Sequence, residues 1–204
     1  QALYAYQRTA ELCGRALEIL TGREGTEDAP TLRGRRFDLL LMREAALDRQ
    51  GLRAEQAVDV AELLQLAEAS GDAKRLATAS IREAGYHSYA GHYDEARRAG
   101  EHALALYRGA GDAAGEGKAL RELGFLSWTA EDYSSALAYM REALKLHRLR
   151  GDVEGEATAL HNLAEVHRSL GSPQQSIAEY QTALELYWAR QERQRQGLTL
   201  YGLG

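Results

Sequence analysis

The chain has 204 residues, of which 45% are hydrophobic and 27% charged, proportions typical of a globular protein. Its net charge of −5 gives no indication of nucleic-acid or anionic-membrane binding. Alanine and leucine are abundant while valine and isoleucine are scarce, which excludes an extensive sheet and predicts helices. No apolar run reaches the roughly 18 residues of a membrane span. We therefore predict a helical, cytoplasmic protein without a membrane partner.

The N-terminal part is predicted to hold one helix followed by a loop. Residues 2–20 have the character of half a helical hairpin, and the polar, glycine-containing segment 22–30 is predicted as the loop. Residue 1 is not methionine, and the two methionines are Met42 and Met140. We expect this chain to be an excerpt of a longer one.

The glycines then mark a regular interval. The pair Gly-Asp begins at Gly71, Gly111 and Gly151, each 40 residues after the last. A fixed interval of this length is typical of stacked repeats. Gly91 and Gly171 fall midway between these pairs, and Glu131 occupies the equivalent place in the unit between them. Helices commonly end on a left-handed residue, the conformation glycine tolerates best, so each unit is predicted to be a helix–turn–helix hairpin.

The segments between these turns have helical periodicity. Ala136, Met140, Ala143 and Leu144 recur at spacings of three and four, and alternation with period two is absent. Small residues at repeated positions, Gly85 and Gly124 among them, are expected where two helices pack most closely.

The aligned units resemble the tetratricopeptide repeat. One unit has Leu123-Gly124, then Tyr133 after a turn, then Ala136, and an Ala-Leu pair at Ala143-Leu144 that recurs at 40-residue intervals. The resemblance implies an all-α fold, an α-α superhelix (right-handed solenoid) of stacked antiparallel helix hairpins. The predicted organisation is a partial repeat and loop at 1–30, repeats at 31–72, 73–112, 113–152 and 153–193, and the start of a further repeat at 194–204.

The repeat length of 40 residues exceeds the usual 34 of the family. It is similar to the repeats of kinesin light chains and of bacterial regulators of the maltose-activator type. In the latter, the resemblance implies a sensor array that follows a nucleotide-binding switch domain.

Signatures of catalysis are missing from the sequence. It has no phosphate loop, no H-E-x-x-H and no nucleophile elbow, and its six histidines lack metal-ligand spacing. We therefore predict no enzymatic activity, no cofactor and no metal site.

The first helix of each predicted hairpin carries charged and aromatic residues at repeated positions. Arg82, Arg121 and His161 are equivalent, and further residues follow at spacings of four and then three, which keeps each set on one helical stripe. In tetratricopeptide repeats this stripe lines the concave groove where partners bind. The resemblance implies a groove formed by Arg82, Glu83, Tyr86, Tyr89, Lys118, Arg121, Glu122, Phe125, Trp128, His161, Asn162 and Glu165.

Two interpretations of these residues stay open. Arginine can bind a partner's carboxylate while aromatic faces supply contact area. Alternatively, an arginine of one unit pairs with a glutamate of its neighbour in a structural ladder, and the aromatic residues pack between helices.

We predict a protein- or peptide-binding module within a larger bacterial signalling or transcriptional regulator, with a fused ATPase or DNA-binding domain outside this chain. A sensor of a small molecule or pheromone peptide is one alternative. A scaffold that self-associates through its repeat ends is another. No direct nucleic-acid partner is expected.

Overall fold

The computed structural model describes residues 2–22, 28–189 and 193–203, and within them every regular element is an α-helix. The predicted all-α class is confirmed. The helices are α1 (Ala2–Thr21), α2 (Ala29–Gln50), α3 (Arg53–Ser70), α4 (Ala73–Tyr89), α5 (Tyr93–Gly109), α6 (Ala113–Thr129), α7 (Tyr133–Arg150), α8 (Val153–Ser169), α9 (Pro173–Ala189) and α10 (Arg193–Leu203).

The loop predicted at 22–30 falls largely on residues 23–27, which lie outside the described residues. After it, the Asp28 carboxylate accepts a hydrogen bond from the Thr31 amide and caps the start of α2, where Pro30 stands in the first turn. The proline suits this position because a helix's first amides have no partner within the helix. The division into repeats stays a prediction.

The turns between helices use a left-handed residue, as the glycine pattern predicts. Gly71, Gly91, Gly111, Gly151 and Gly171 all have a positive φ, and so does Glu131, the equivalent residue in the unit without glycine. The amide of the next residue reaches back to the closing helix: the Asp152 amide donates to the His147 carbonyl at 3.0 Å. This hydrogen bond satisfies a carbonyl that the helix end would otherwise leave unpaired.

The aspartate after the left-handed residue begins the next helix. Carboxylates of Asp72, Asp112, Asp132 and Asp152 accept hydrogen bonds from backbone amides two or three residues later. Such caps typically stabilise a helix by about 1 kcal/mol. The Gly-Asp pair therefore ends one helix and starts another, which explains why it recurs.

The chain divides within α5 into two compact units, Gln1–Leu106 and Tyr107–Gly204. In the first unit, α2 packs on α1 and α3, and α3 also packs on α4. Its core contains buried side chains from these helices, among them Leu17, Phe37, Leu40, Leu63 and Ala79.

In the second unit, each helix from α6 to α9 packs on the helix that follows it, and α6 also contacts α8. This core draws on α7, α8 and α9 and includes Met140, Leu160, Leu163, Val166 and Tyr187. The contact between α6 and α8 joins two first helices, so the faces that carry the predicted site residues in this unit are neighbours.

The expectation about close-packed glycines is half right. At Gly124 an added Cβ would lie 2.7 Å from Met140 Cγ, so this glycine does permit a close approach. The expectation for Gly85 is wrong, because a Cβ there would meet no atom within 4 Å. Closer approaches occur at Gly115 and Gly155, where an added Cβ would fall at 2.1 Å from Tyr107 and 2.0 Å from His147.

Candidate functional site

The predicted residues of the first unit lie on α4, and the charged one is paired with a neighbouring first helix. Arg82 Nε lies 3.4 Å from Glu44 Oε2 of α2. The Glu44 side chain is almost fully buried, whereas that of Arg82 is 40% exposed. This pair matches the structural-ladder interpretation, because the arginine of one helical hairpin contacts the glutamate of the preceding hairpin.

Glu44 belongs to a buried polar cluster that the sequence did not reveal. Its Oε1 accepts a hydrogen bond of 2.8 Å from Gln56 Nε2 of α3, and Gln56 is itself buried. Its Oε2 has no hydrogen-bond partner among the described residues. Burial raises the pKa of Glu44, although the charge of Arg82 and the bond from Gln56 act in the opposite direction.

The raised pKa has a consequence for stability. The native state holds the Glu44 proton more tightly than the unfolded chain, so this group's contribution to stability is full at acidic pH and falls as pH rises above the usual glutamate range. We expect Glu44→Gln to raise the free energy of unfolding at pH 7 and to make it depend less on pH, because the amide carries no charge that burial must strip of water. Urea unfolding at several pH values measures this.

The control for that experiment is Glu55→Gln, because Glu55 lies exposed on α3. We expect the control to leave the pH profile unchanged. A Glu44→Gln protein that is less stable at pH 7 would mean that the ion pair to Arg82 outweighs the cost of burying the carboxylate.

The aromatic residues of α4 differ in exposure. Tyr89 is 61% exposed, and the Arg53 guanidinium lies over one face of its ring at 4.2 Å from the centroid. Tyr86 is half-buried and meets His87 edge to face at 5.5 Å. Glu83 lies 4.0 Å from His87. Of this set, Tyr89 presents the largest exposed apolar surface.

In the second unit, α6 presents two cations that pair with no carboxylate of the described residues. Lys118 and Arg121 are exposed, and neither forms an ion pair with any residue in the described part of the chain. They stand three residues apart and so lie on one helical face. Glu122, next to Arg121, is half-buried and already engaged in an interaction of its own.

The same face of α6 continues into two aromatic rings. Phe125 is 39% exposed, and its ring centroid lies 5.8 Å from that of Trp128. Trp128 Nε1 donates a hydrogen bond of 2.9 Å to Ser169 Oγ of α8, and its ring packs against the core. Trp128 is therefore fixed by its hydrogen bond to Ser169, and the Phe125 ring contacts it. Together the two rings form a preorganised aromatic surface.

The residues predicted on α8 belong to a second polar cluster. Glu165 accepts hydrogen bonds from Arg168 and from the hydroxyl of the fully buried Tyr180. Burial raises the pKa of Glu165, but these bonds outweigh it and the pKa lies below its usual value. The pKa of Tyr180 is raised by burial and by Glu165, so the phenol keeps its proton. Glu165 is thus an anion with a fixed orientation.

The neighbouring predicted residues line a cavity. His161 and Asn162 are half-buried and form part of its wall, with Arg195 and Thr199 of α10 opposite. Sequence reasoning missed the partners Gln56, Ser169, Tyr180 and Thr199. Each lies on another helix than the residue it contacts, and no repeated spacing marks them.

Neither a metal-binding cluster nor a membrane-spanning helix is found among the described residues. No group of three or more histidine, cysteine, aspartate or glutamate side chains there is placed to hold a metal ion. None of the helices described combines the length and apolar character needed to cross a bilayer.

Comparison with known proteins identifies the repeats. Residues 115–189 match the family model described as tetratricopeptide repeat. Residues 115–189 therefore contain tetratricopeptide repeats. The resemblance drawn from the sequence is thereby confirmed. No curated protein matches the sequence.

Several solved structures are similar to this chain. BtubC (BKLC) from P. vanneervenii is 17% identical with a TM-score of 0.80, covering 98% of this chain and 82% of its own. A signal transduction ATPase with a tetratricopeptide repeat sensor, from Pyrococcus horikoshii, is 17% identical with a TM-score of 0.78. There the match covers 98% of this chain but 32% of the ATPase, so this chain spans about a third of that protein's length.

A Rap protein complexed with competence and sporulation factor is also similar, at 16% identity and a TM-score of 0.67, covering 98% of this chain and 59% of that protein. At these identities the similarity shows the fold alone. That fold, stacked helical hairpins of the tetratricopeptide kind, is generally a noncatalytic interaction module.

Proposed function

We propose that this chain is a protein- or peptide-binding module, the sensor or interaction region of a larger bacterial signalling or transcriptional regulator in the cytoplasm. The observation that carries the proposal is the surface of α6, where Lys118 and Arg121 lie beside the ring pair Phe125 and Trp128. A fused ATPase or DNA-binding domain in the same longer chain would receive the signal. The tetratricopeptide sensor of the Pyrococcus ATPase and the Rap complex support this reading.

The chemistry of the α6 surface favours an acidic segment. Lys118 and Arg121 are exposed and pair with no carboxylate of the described residues, so both charges are available to a partner. Two like charges three residues apart repel each other, and a partner's carboxylate relieves this. An arginine can bind a carboxylate through two parallel hydrogen bonds.

The aromatic part of the surface favours a partner segment that carries an apolar side chain close to its acidic one. Phe125 lies one helical turn beyond Arg121, about 6 Å along the axis. An extended peptide advances about 3.3 Å per residue. If an apolar residue of the peptide contacts Phe125, the acidic residue that contacts Arg121 is therefore about two positions away in the peptide. Because Trp128 is already held by Ser169, little ordering is needed when the partner binds.

The test is binding of a fluorescent peptide library whose members carry one acidic and one leucine or tryptophan residue at variable separation. We expect Arg121→Ala and Phe125→Ala each to weaken the best peptide about tenfold, the effect of losing an interaction of about 1.4 kcal/mol. Phe125→Ala is preferred to Trp128→Ala because Trp128 also packs against the core.

The matched control is Arg141→Ala, since Arg141 is exposed on α7 and forms no ion pair with a described residue. We expect this control to bind as the parent does, with all three variants sharing its thermal midpoint. A variant that loses stability but binds peptide normally would show that the α6 residues are structural and would refute the proposal.

A further inference from the structure

Helix α1 has the sequence of the second helix of a hairpin, yet it leaves an apolar residue uncovered. The Ala-Leu pair that marks second helices is Ala16-Leu17 in α1, and Ile19 follows the alanine by three positions. The equivalent residues of the later second helices are all half-buried leucines: Leu66, Leu106, Leu146 and Leu186. Leu186 packs against a core that includes Leu160 of its own first helix, α8. Ile19 is 61% exposed, because no described helix takes that place beside α1.

The uncovered face of α1 borders a groove between α1 and α2. The groove has a volume of about 480 Å³ and is lined by Ala16, Ile19, Leu20, Arg35, Asp38 and Leu39. Elsewhere a first helix lies in such a place, since α6 packs on its own second helix, α7, and also contacts the next first helix, α8. A first helix placed on α1 in the same way would lie in this groove, against both α1 and α2.

Helix α10 shows the converse, because it has the position of a first helix without a second one. Leu200 lies 40 residues after Leu160 of α8. The residues equivalent to Leu200 in the other first helices are all buried: Leu40, Ser80, Leu120 and Leu160. Leu160 is buried in the core that α8 shares with α9. Leu200 itself is 49% exposed, so α10 presents an apolar residue that first helices otherwise bury.

We propose that α10 of one copy of this chain packs in the groove between α1 and α2 of a second copy. A first helix that exposes Leu200 and a second helix that exposes Ile19 are the two halves of a hairpin, and the chain already contains this type of interface between α8 and α9. Removing both apolar residues from water favours the association. This repeat complementarity makes a second copy the occupant of the groove.

The contact is heterologous, because it joins two different surfaces of the chain. Each copy keeps one free α10 and one free groove after the first contact, so further copies can add until a ring closes. The proposal goes beyond the peptide-binding function, since it uses neither Arg121 nor Phe125 of the α6 surface.

The test is light scattering of the 204-residue chain over a range of concentrations. We expect the mean mass to rise with concentration above the 22.5 kDa of one copy. Ile19→Lys and Leu200→Lys should each weaken the association by about tenfold or more, because each would bury a charge without a partner. Val58→Lys is the matched control, since Val58 is also exposed on a second helix, α3, but does not line the groove. We expect this control to associate as the parent does.

Mixing the two variants gives the decisive measurement. The Ile19→Lys protein keeps an intact α10, and the Leu200→Lys protein keeps an intact groove, so one contact can form between them and no further one. We expect an equimolar mixture to reach twice the mass of one copy and no more, while each variant alone stays monomeric at the same concentration. An unchanged thermal midpoint shows that each variant is folded.

Three results would overturn the proposal. A parent chain that is monomeric at every concentration would mean that another partner covers the two faces. A mixture of the variants that stays monomeric would mean that α10 does not pack in the groove. A Leu200→Lys protein that still associates as the parent does would mean that like faces pair with each other.

Discussion

Replacing Arg43 by methionine is expected to lower the free energy of unfolding by about 3–5 kcal/mol, the cost of leaving a buried charge without its partner. Arg43 of α2 binds both carboxylate oxygens of Asp59 of α3, with Nε at 2.8 Å from Oδ2. The Asp59 side chain is fully buried, so after the substitution its charge would face neither water nor a cation. Urea unfolding of the two proteins measures the difference.

A double variant separates the burial of charge from the loss of packing. Arg43→Met with Asp59→Leu removes both charges, and we expect it to recover most of the lost stability because apolar pairs of similar volume commonly replace buried ion pairs well. Asp59→Leu alone should cost less than Arg43→Met, since the Arg43 side chain is 26% exposed and keeps some contact with water. Equal stability of the Arg43→Met protein and the parent would show that the pair is not buried in solution.

The second large effect is expected at Gly155. An alanine Cβ there would lie 2.0 Å from Nδ1 of His147, whose ring cannot turn away without breaking its 2.9 Å hydrogen bond to Asp152. Overpacking of this kind costs about 2 kcal/mol. For a chain of this size such a loss lowers the thermal midpoint by about 4–8 °C, which calorimetry resolves.

Gly85→Ala is the matched control for Gly155→Ala. Both glycines lie inside helices, but a Cβ at Gly85 would meet nothing within 4 Å. Alanine is the better helix former, so this variant should be as stable as the parent or gain up to about 1 kcal/mol. If both alanine variants behaved alike, the close approach of His147 to Gly155 would not be what requires glycine there.

The turns and helices were predictable because they repeat. The interval of 40 residues assigned the same role to Glu131 as to the glycines, and its positive φ confirms that assignment although its residue type argues against it. The Arg43–Asp59 pair could not be found in this way. The residues 40 and 80 positions after Asp59 are Ala99 and Tyr139, so no repeated pattern points to a buried acid.

The candidate site was likewise only partly predictable from the sequence. The stripe containing Arg121 and Phe125 could be read from spacing alone, because residues three and four apart share a helical face. Whether Arg82 would be paired with Glu44 depended on the distance between two helices, which spacing does not give. The cavity beside His161 depends on Arg195 and Thr199, in the part of the chain where the repeat match is weakest.

The left-handed glycines at the turns have one further consequence. An added Cβ at Gly71, Gly111 or Gly151 would touch nothing within 4 Å, so these positions disfavour other L-residues through the backbone angle and not through lack of space. A mirror-image residue prefers the angle that an L-residue avoids. D-alanine, introduced by chemical ligation, would therefore fit each of these turns and would also restrict the unfolded chain.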